Sequence, residues 1–255
     1  MQSYIIELSP PRINADNLGE QINTFTKRYS EIVDAGMIVS IPDNPMASSR
    51  MTALEMVFEL GSSFNADKTI MHMTTYHYKQ QIDSRLAVAY ERGLRNLLVV
   101  TGDYNPYTHK LNPHEIESSS ESVTSVDLIR YIRSLCSGIF NCGVAYNQYN
   151  DIQEEDEKLL RKFDAGASFV VTQPAVADDV ESSAIQMING DVFIGVWMSH
   201  DTNPLKKIIR QSILTKDEYD PDKNLRDLIN RFPRSGFYLM FLDVNRPLPS
   251  LPTLA

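Results

Sequence analysis

The chain of 255 residues contains no run approaching the roughly 18 consecutive apolar residues that cross a bilayer. It also lacks the N-terminal apolar stretch of a secretory signal. Cysteine is scarce: Cys136 and Cys142 lie six apart with no CxxC, so neither a disulfide framework nor a cysteine-based zinc site is expected. Positive charge is in deficit, with 24 Lys and Arg against 33 Asp and Glu and a net charge of −9. That sign opposes an electrostatic footprint on nucleic acid or on an anionic membrane. No HExxH, no His-x-His in the first candidate strand and no clustered carboxylates appear, which leaves a metallohydrolase without ligands. These absences predict a reduced, cytoplasmic chain with no metal, no nucleic acid and no membrane partner.

Apolar residues make up 42% of the chain and charged residues only 22%, enough for a large core and too little polarity for disorder. Short apolar runs alternate with amphipathic stretches throughout. Candidate strands are Tyr4–Leu8, Met37–Ile41, Thr69–Met73, Asn96–Thr101, Asn141–Ala145, Ser168–Thr172, Val192–Trp197 and Gly236–Leu242. Helices are expected over Asn17–Val33, Met51–Leu60, Tyr78–Glu91, Ser125–Leu135, Glu154–Phe163, Val180–Ile188, Leu205–Leu214 and Asn224–Phe232. In the first of these, Leu18, Ile22, Phe25, Tyr29, Ile32 and Val33 keep the three-to-four spacing of one helical face. Strands apolar throughout and alternating with helices imply a parallel sheet covered by helices. Eight such units predict a single α/β domain over residues 1–255, a (β/α)8 TIM barrel. An open doubly wound sheet is disfavoured because the first strand runs into Ser-Pro-Pro and not a GxGxxG turn. The segment from Tyr104 to Ser122 reads as a mobile loop or a lid. The proline-rich end from Pro247 reads as a surface strap.

Barrel enzymes carry their chemistry at the C-terminal ends of the strands. That rule selects Glu7, Ser40, Asp43, Asn44, His72, Thr74, Asp103, Tyr146, Gln148, Gln173, His200, Asp201, Asp243, Asn245 and Arg246. No strand holds a lysine in its interior or at its C-terminal end, which argues against Schiff-base chemistry. The last two strands lack glycine-rich turns to cradle a phosphate. Glu7 is the most informative residue, because a carboxylate in the apolar run IIEL is costly to bury ionised. It is either a neutral acid able to donate a proton or the partner of Arg12 or Arg246. Asp103 follows a glycine in VVTGD and either meets a ligand or caps the next turn. Gln173 ends VVTQP, where an amide offers both donor and acceptor to a planar heterocycle. His72, between Met71 and Met73, reads by itself as a core histidine. Glu7 and Asp103 as a hydrolytic carboxylate pair would need oxygens roughly 5 to 9.5 Å apart.

Taken in order, IIELSPPR from Ile5, MIVSI, HMTT from His72, GLRNLLVVTGD from Gly93 to Asp103, GVAY ending at Tyr146, RKFDAGASFVVTQ from Arg161 to Gln173 and FLDVNR ending at Arg246 resemble the methylenetetrahydrofolate reductase family. The resemblance implies a barrel that holds FAD. In that family a nicotinamide cofactor, NADH or NADPH, reduces the flavin, and the flavin passes hydride to 5,10-methylenetetrahydrofolate. It assigns Glu7 as the general acid, Asp103 to catalysis and folate contact, Gln173 to folate binding, and His72, Tyr146, Lys162 and Thr101 to the flavin.

Three departures bear on the flavin. Pro42 follows MIVSI where the family has a threonine, Asn150 stands in place of a histidine, and Thr124 falls near an expected aromatic contact. Together they imply FAD held more weakly than in the family at large. An alternative is a flavin-poor or flavin-free folate-binding subunit acting with an electron-supplying or methyl-transferring partner. A homo-oligomer is also compatible with the sequence.

Overall fold

A computed structural model describes residues 3–43, 49–104, 108–176, 191–209, 219–240 and 251–254. Eight parallel strands close into a barrel in sequence order. They are β1 (Tyr4–Glu7), β2 (Ile38–Ile41), β3 (Thr69–Thr74), β4 (Asn96–Val100), β5 (Asn141–Tyr146), β6 (Ala167–Pro174), β7 (Asp191–Trp197) and β8 (Gly236–Met240). Closure runs through β1, which pairs Glu7 with Ser40 on β2 and Ile5 with Tyr238 on β8. Helices between the strands are α1 (Leu18–Asp34), α2 (Ala53–Leu60), α3 (Lys79–Glu91), α4 (Ser125–Leu135), α5 (Ile152–Asp164), α6 (Asn203–Ile209) and α7 (Pro221–Arg231). The expected helix at Val180–Ile188 and the end of the one expected at Leu205–Leu214 lie outside the described residues.

Local sequence fixes where several helices begin. Thr52 and Glu55 form a reciprocal capping box at α2, and Asp151 accepts from the Glu154 N–H at α5. Asp220 caps α7 with Pro221 in its first turn, where a missing N–H costs nothing.

Strand alternation divides the core in two. One set of residues, including Val39, Val99, Val144 and Ile194, packs outward under the helices. The other, Ile5, Ile70, Leu98, Phe169, Val171, Phe193 and Tyr238, fills the barrel. Phe169 and Phe193 meet edge to face, 5.9 Å between centroids. Space for Phe169 exists because residue 143 is glycine: a Cβ there would stand 2.0 Å from the ring. These rings fill the middle of the barrel and separate a cavity of about 380 Å³ at the strand starts, lined by Ser3, Ile70 and Asp191 among others, from the space at the C-terminal ends.

The segment after β4 is pinned in several places, which corrects the expectation of a free loop or lid for its described part. Leu111 is buried, and its N–H donates to Thr75 O at 2.8 Å. The Ser118 and Ser120 hydroxyls both donate to Asp127 on α4, at 2.8 and 3.0 Å. At the opposite end of the barrel, Tyr4 OH donates to Pro252 O at 2.8 Å, so residues 251–254 lie as a strap across the start of β1.

Candidate active site

Inward residues at the C-terminal ends of the strands surround a cavity of about 460 Å³. Glu7, His72 and Tyr238 form its polar floor, and Asp43, Asp103 and Gln173 face it from the loops and strand ends above. Its volume lies in the range of about 300 to 1,000 Å³ that suits one drug-sized ligand.

Glu7 reaches the cavity as the last residue of β1. Tyr238 OH lies 3.1 Å from its Oε2, 3.0 Å from Ser40 Oγ and 3.1 Å from His72 Nε2, while Ser40 and His72 are themselves 3.0 Å apart. Desolvation by burial raises the Glu7 pKa to about 7, against smaller downward pulls from Tyr238 and from the charge of Arg50. Among the described residues Glu7 makes no ion pair, so pairing with Arg12 is not what holds it, and Arg246 lies outside them. Burial also lowers His72 to about 4, outweighing the opposite pull of Asp43, and the imidazole is neutral at pH 7. The floor therefore combines a carboxyl that readily keeps its proton with a neutral imidazole and two hydroxyls.

Asp43 is buried beside this floor. It accepts a close hydrogen bond from His77, with Arg85 and the Thr74 hydroxyl each 3.3 Å from the same oxygen. Burial pushes its pKa up, but His77 and Arg85 together hold it below the usual carboxylate range. The charge is fixed in place and compensated from α3 and the turn before it.

Asp103 reaches the cavity through Gly102, whose φ of +84° lies in the left-handed region. A Cβ at Gly102 would also stand 2.8 Å from Thr74 Cβ. Gln173 is presented differently. Gln148 donates from Nε2 to Gln173 O at 2.9 Å and accepts from Gln173 N at 3.1 Å, clamping the main chain. The Gln173 side-chain amide itself bonds to no described residue. Across the mouth, α6 contributes Pro204, Lys207 and Ile208. That helix is seated by Leu205 and Ile209 packing on Trp197 and Tyr219, with Tyr219 OH donating to Trp197 O at 2.6 Å.

The sequence-predicted residues thus divide. Glu7, Asp103, Gln173 and His72 line one cavity, and Thr101, Tyr146 and Lys162 do not. Tyr146 is fully buried on the outward side of β5 and donates to Asp156 at 2.7 Å. Lys162 Nζ donates to Ala145 O at 2.6 Å and lies 3.8 Å from Glu155. The Thr101 side chain is exposed, and its carbonyl accepts from Thr75 N–H and Oγ1. Of the four residues assigned to the flavin, only His72 faces the cavity, and its Nε2 is occupied by Ser40 and Tyr238. Pro42 lines the cavity without a donor. This set does not fit a tightly held flavin dinucleotide.

Of the other strand-end candidates, Ser40 and Thr74 enter the networks just described; of the departures that bear on the flavin, Asn150 Nδ2 donates to Glu155 and Thr124 caps α4. His200 is exposed, and Asp201 caps the start of α6. Asn44, Asp243, Asn245 and Arg246 lie outside the described residues. Tyr238, His77, Arg85 and Lys207 were not selected from the sequence. Among the described residues no group of three or more His, Cys, Asp or Glu side chains could hold a metal ion, and no helix is long and apolar enough to cross a membrane.

The site is thus a parallel eightfold barrel with a buried carboxyl of raised pKa on its floor, a compensated carboxylate beside it and a side-chain amide at its mouth. The chain belongs to the methylenetetrahydrofolate reductase family, whose sequence profile matches residues 1–181. It is 37% identical over 179 residues to methylenetetrahydrofolate reductase 1 of Schizosaccharomyces pombe, a match covering 67% of this chain and 28% of that protein. Methylenetetrahydrofolate reductase 2 of the same yeast is 33% identical over 185 residues, 67% of this chain and 27% of its own length. The chain thus matches under a third of the length of these relatives. Among solved structures, an uncharacterized protein from Clostridium thermocellum that binds two copies of 5-methyl-5,6,7,8-tetrahydrofolic acid superposes with a TM-score of 0.62 at 11% identity, covering 95% of this chain and 91% of that one. The 2,3-dimethylmalate lyase of the PEP mutase/isocitrate lyase superfamily gives 0.53 at 10% identity, covering 96% and 78%. At these identities both likenesses concern the fold.

Proposed function

We propose that this chain binds 5,10-methylenetetrahydrofolate and reduces it to the 5-methyl form, with Glu7 as the general acid. The observation that carries the reading is the Glu7 carboxyl on the floor of a mouth cavity, its pKa raised by desolvation to about 7. Asp103 and Gln173 share that cavity. A pterin offers a paired N–H donor edge suited to a carboxylate, and a ring amide that matches the donor and acceptor of Gln173. Lys207 supplies positive charge at the rim, where the glutamate tail of a folate would leave the cavity.

In this scheme Glu7 passes its proton to N10, and the bond from N10 to the bridging carbon breaks with its electron pair going to N10. The bridging carbon is left as an iminium on N5. Hydride then adds to that carbon to give the methyl group, and Glu7 regains a proton from solvent. The family resemblance points to a reduced nicotinamide as the source of electrons. Desolvation favours this acid because proton donation is most effective from a group whose pKa lies near the operating pH.

A second reading is favoured by Tyr146 and Lys162 being bonded internally: a folate-binding barrel that needs an electron-supplying partner. The test is calorimetric titration of the purified chain with tetrahydrofolate derivatives, followed by turnover with NADH or NADPH, with and without added FAD. Folate binding with turnover supports the first reading. Binding without turnover under any of these conditions supports the second. Failure of every folate to bind overturns both.

A further inference from the structure

Tyr238 lies beyond the residues that the family profile matches, and the acid's immediate surroundings converge on it. Its ring is buried among Ile5, Ile70, Leu98, Phe169, Val171 and Phe193, so packing fixes the ring and leaves the O–H bond as its one free rotor. The hydroxyl has one proton to donate and three neighbours in reach: Glu7 Oε2, Ser40 Oγ and His72 Nε2. It cannot serve all three as donor. The neutral His72 accepts at Nε2 in one tautomer and donates in the other, and Ser40 can accept or donate.

We propose that Tyr238 is a positioning residue whose single proton has two settings, toward His72 or Ser40 while Glu7 carries its acidic proton, and toward Glu7 Oε2 once that proton has left. No proton leaves Tyr238 in the exchange. The rotation replaces a hydrogen bond to a neutral acceptor by one to the newly formed carboxylate, where such bonds are strongest. It therefore strengthens the acid at the moment of transfer without exposing it to water. The groups facing Glu7 support this balance. Besides Tyr238 on β8, Ser40 on β2 and His72 on β3, Arg50 acts through its charge, and Asp43 acts on His72 from beside the floor. The neighbouring inward residues of β4, β6 and β7, Leu98, Val171 and Phe193, offer no competing donor.

The inference rests on the proposed role of Glu7 as acid, and its test separates the two. In the full-length chain, the Glu7 carboxyl is titrated by carbon-13 NMR without substrate, with Glu7→Gln identifying its signal. Tyr238→Phe is expected to move the Glu7 midpoint upward, because it removes a bond that favours the charged form. Replacement of Tyr238 by 3-fluorotyrosine, a stronger donor, is expected to move it downward. In turnover, Tyr238→Phe is expected to lower kcat on the acidic plateau by roughly tenfold to a hundredfold, the worth of a hydrogen bond to a charged group. The basic limb should shift to higher pH, with KM for the folate unchanged. A Glu7 midpoint that stays in place in folded Tyr238→Phe overturns the inference. If that variant does not fold, an unmoved midpoint in the fluorotyrosine protein does the same. Absence of any folate binding overturns the functional reading while leaving the titration result standing.

Discussion

Replacing Glu7 by Gln should remove activity and change how the fold responds to pH. The Glu7 pKa rises from the ordinary 4.5 to about 7 in the folded chain, so between those values the folded state holds a proton that the unfolded state has released. Stability then falls as pH rises through that window, and the displacement of about 2.5 units corresponds to about 3 kcal/mol. His72 acts in the opposite sense. Its pKa falls from 6.5 to about 4, so between those values the unfolded state binds the proton and stability rises with pH, by a similar amount. The two slopes oppose one another between about pH 4.5 and 6.5 and largely cancel in the native chain. Gln at position 7 carries no charge and can still accept from Tyr238. Urea unfolding of both proteins at pH 4 and pH 8 should show the variant gaining about 3 kcal/mol relative to the parent at the higher pH. The variant's own stability should climb from pH 4 to 6.5, exposing the His72 slope. A difference between the two proteins that does not depend on pH would refute the argument, because it would mean that Glu7 ionises normally in the folded state.

Four further outcomes follow from the geometry. Gln173→Leu should weaken binding of a tetrahydrofolate by about 1 to 3 kcal/mol in calorimetry, the cost of leaving buried polar partners unmatched, and unchanged affinity would remove Gln173 from the site. Lys207→Glu should raise KM for a folate bearing its glutamate but not for the pteroate analogue that lacks it; equal effects on both would exclude a tail contact. Asp43→Asn should cost about 3 to 5 kcal/mol in denaturant unfolding, because it leaves the Arg85 guanidinium without the charge it faces. Gly143→Ala should destabilise by about 1 to 3 kcal/mol through collision with Phe169, and Phe169→Leu should relieve that loss in the double variant; additive losses would contradict the packing.

The barrel was legible in the sequence because its strands are short, apolar and separated by helix-length amphipathic segments, a pattern that few other architectures share. Glu7 was legible for a related reason: one carboxylate among Ile5, Ile6 and Leu8 contradicts its surroundings. Tyr238 sends no such signal, since a tyrosine within GFYLMFL reads as core, and only pairing of β8 with β1 brings its hydroxyl to Glu7. The Asp43 cluster joins residues 34 and 42 positions apart, beyond the reach of any local spacing. Tyr146 could have been placed from strand alternation alone. Gly143 and Ala145 face the barrel, so Cys142, Val144 and Tyr146 must face the helices.

The bidentate grip of Gln148 on the peptide of Gln173 separates two demands that usually fall on one residue. Position is set through backbone atoms that every amino acid except proline supplies in full, whereas recognition is left to whatever side chain occupies site 173. Site 173 can thus be exchanged, in a selection experiment or over generations, without loosening the loop that carries it. Site 148 has no such latitude, since among side chains of that reach only a glutamine presents a donor and an acceptor together. A shift in the preferred heterocycle should accordingly be reachable by single substitutions at 173, each sampling a different edge of the ligand from an unchanged anchor.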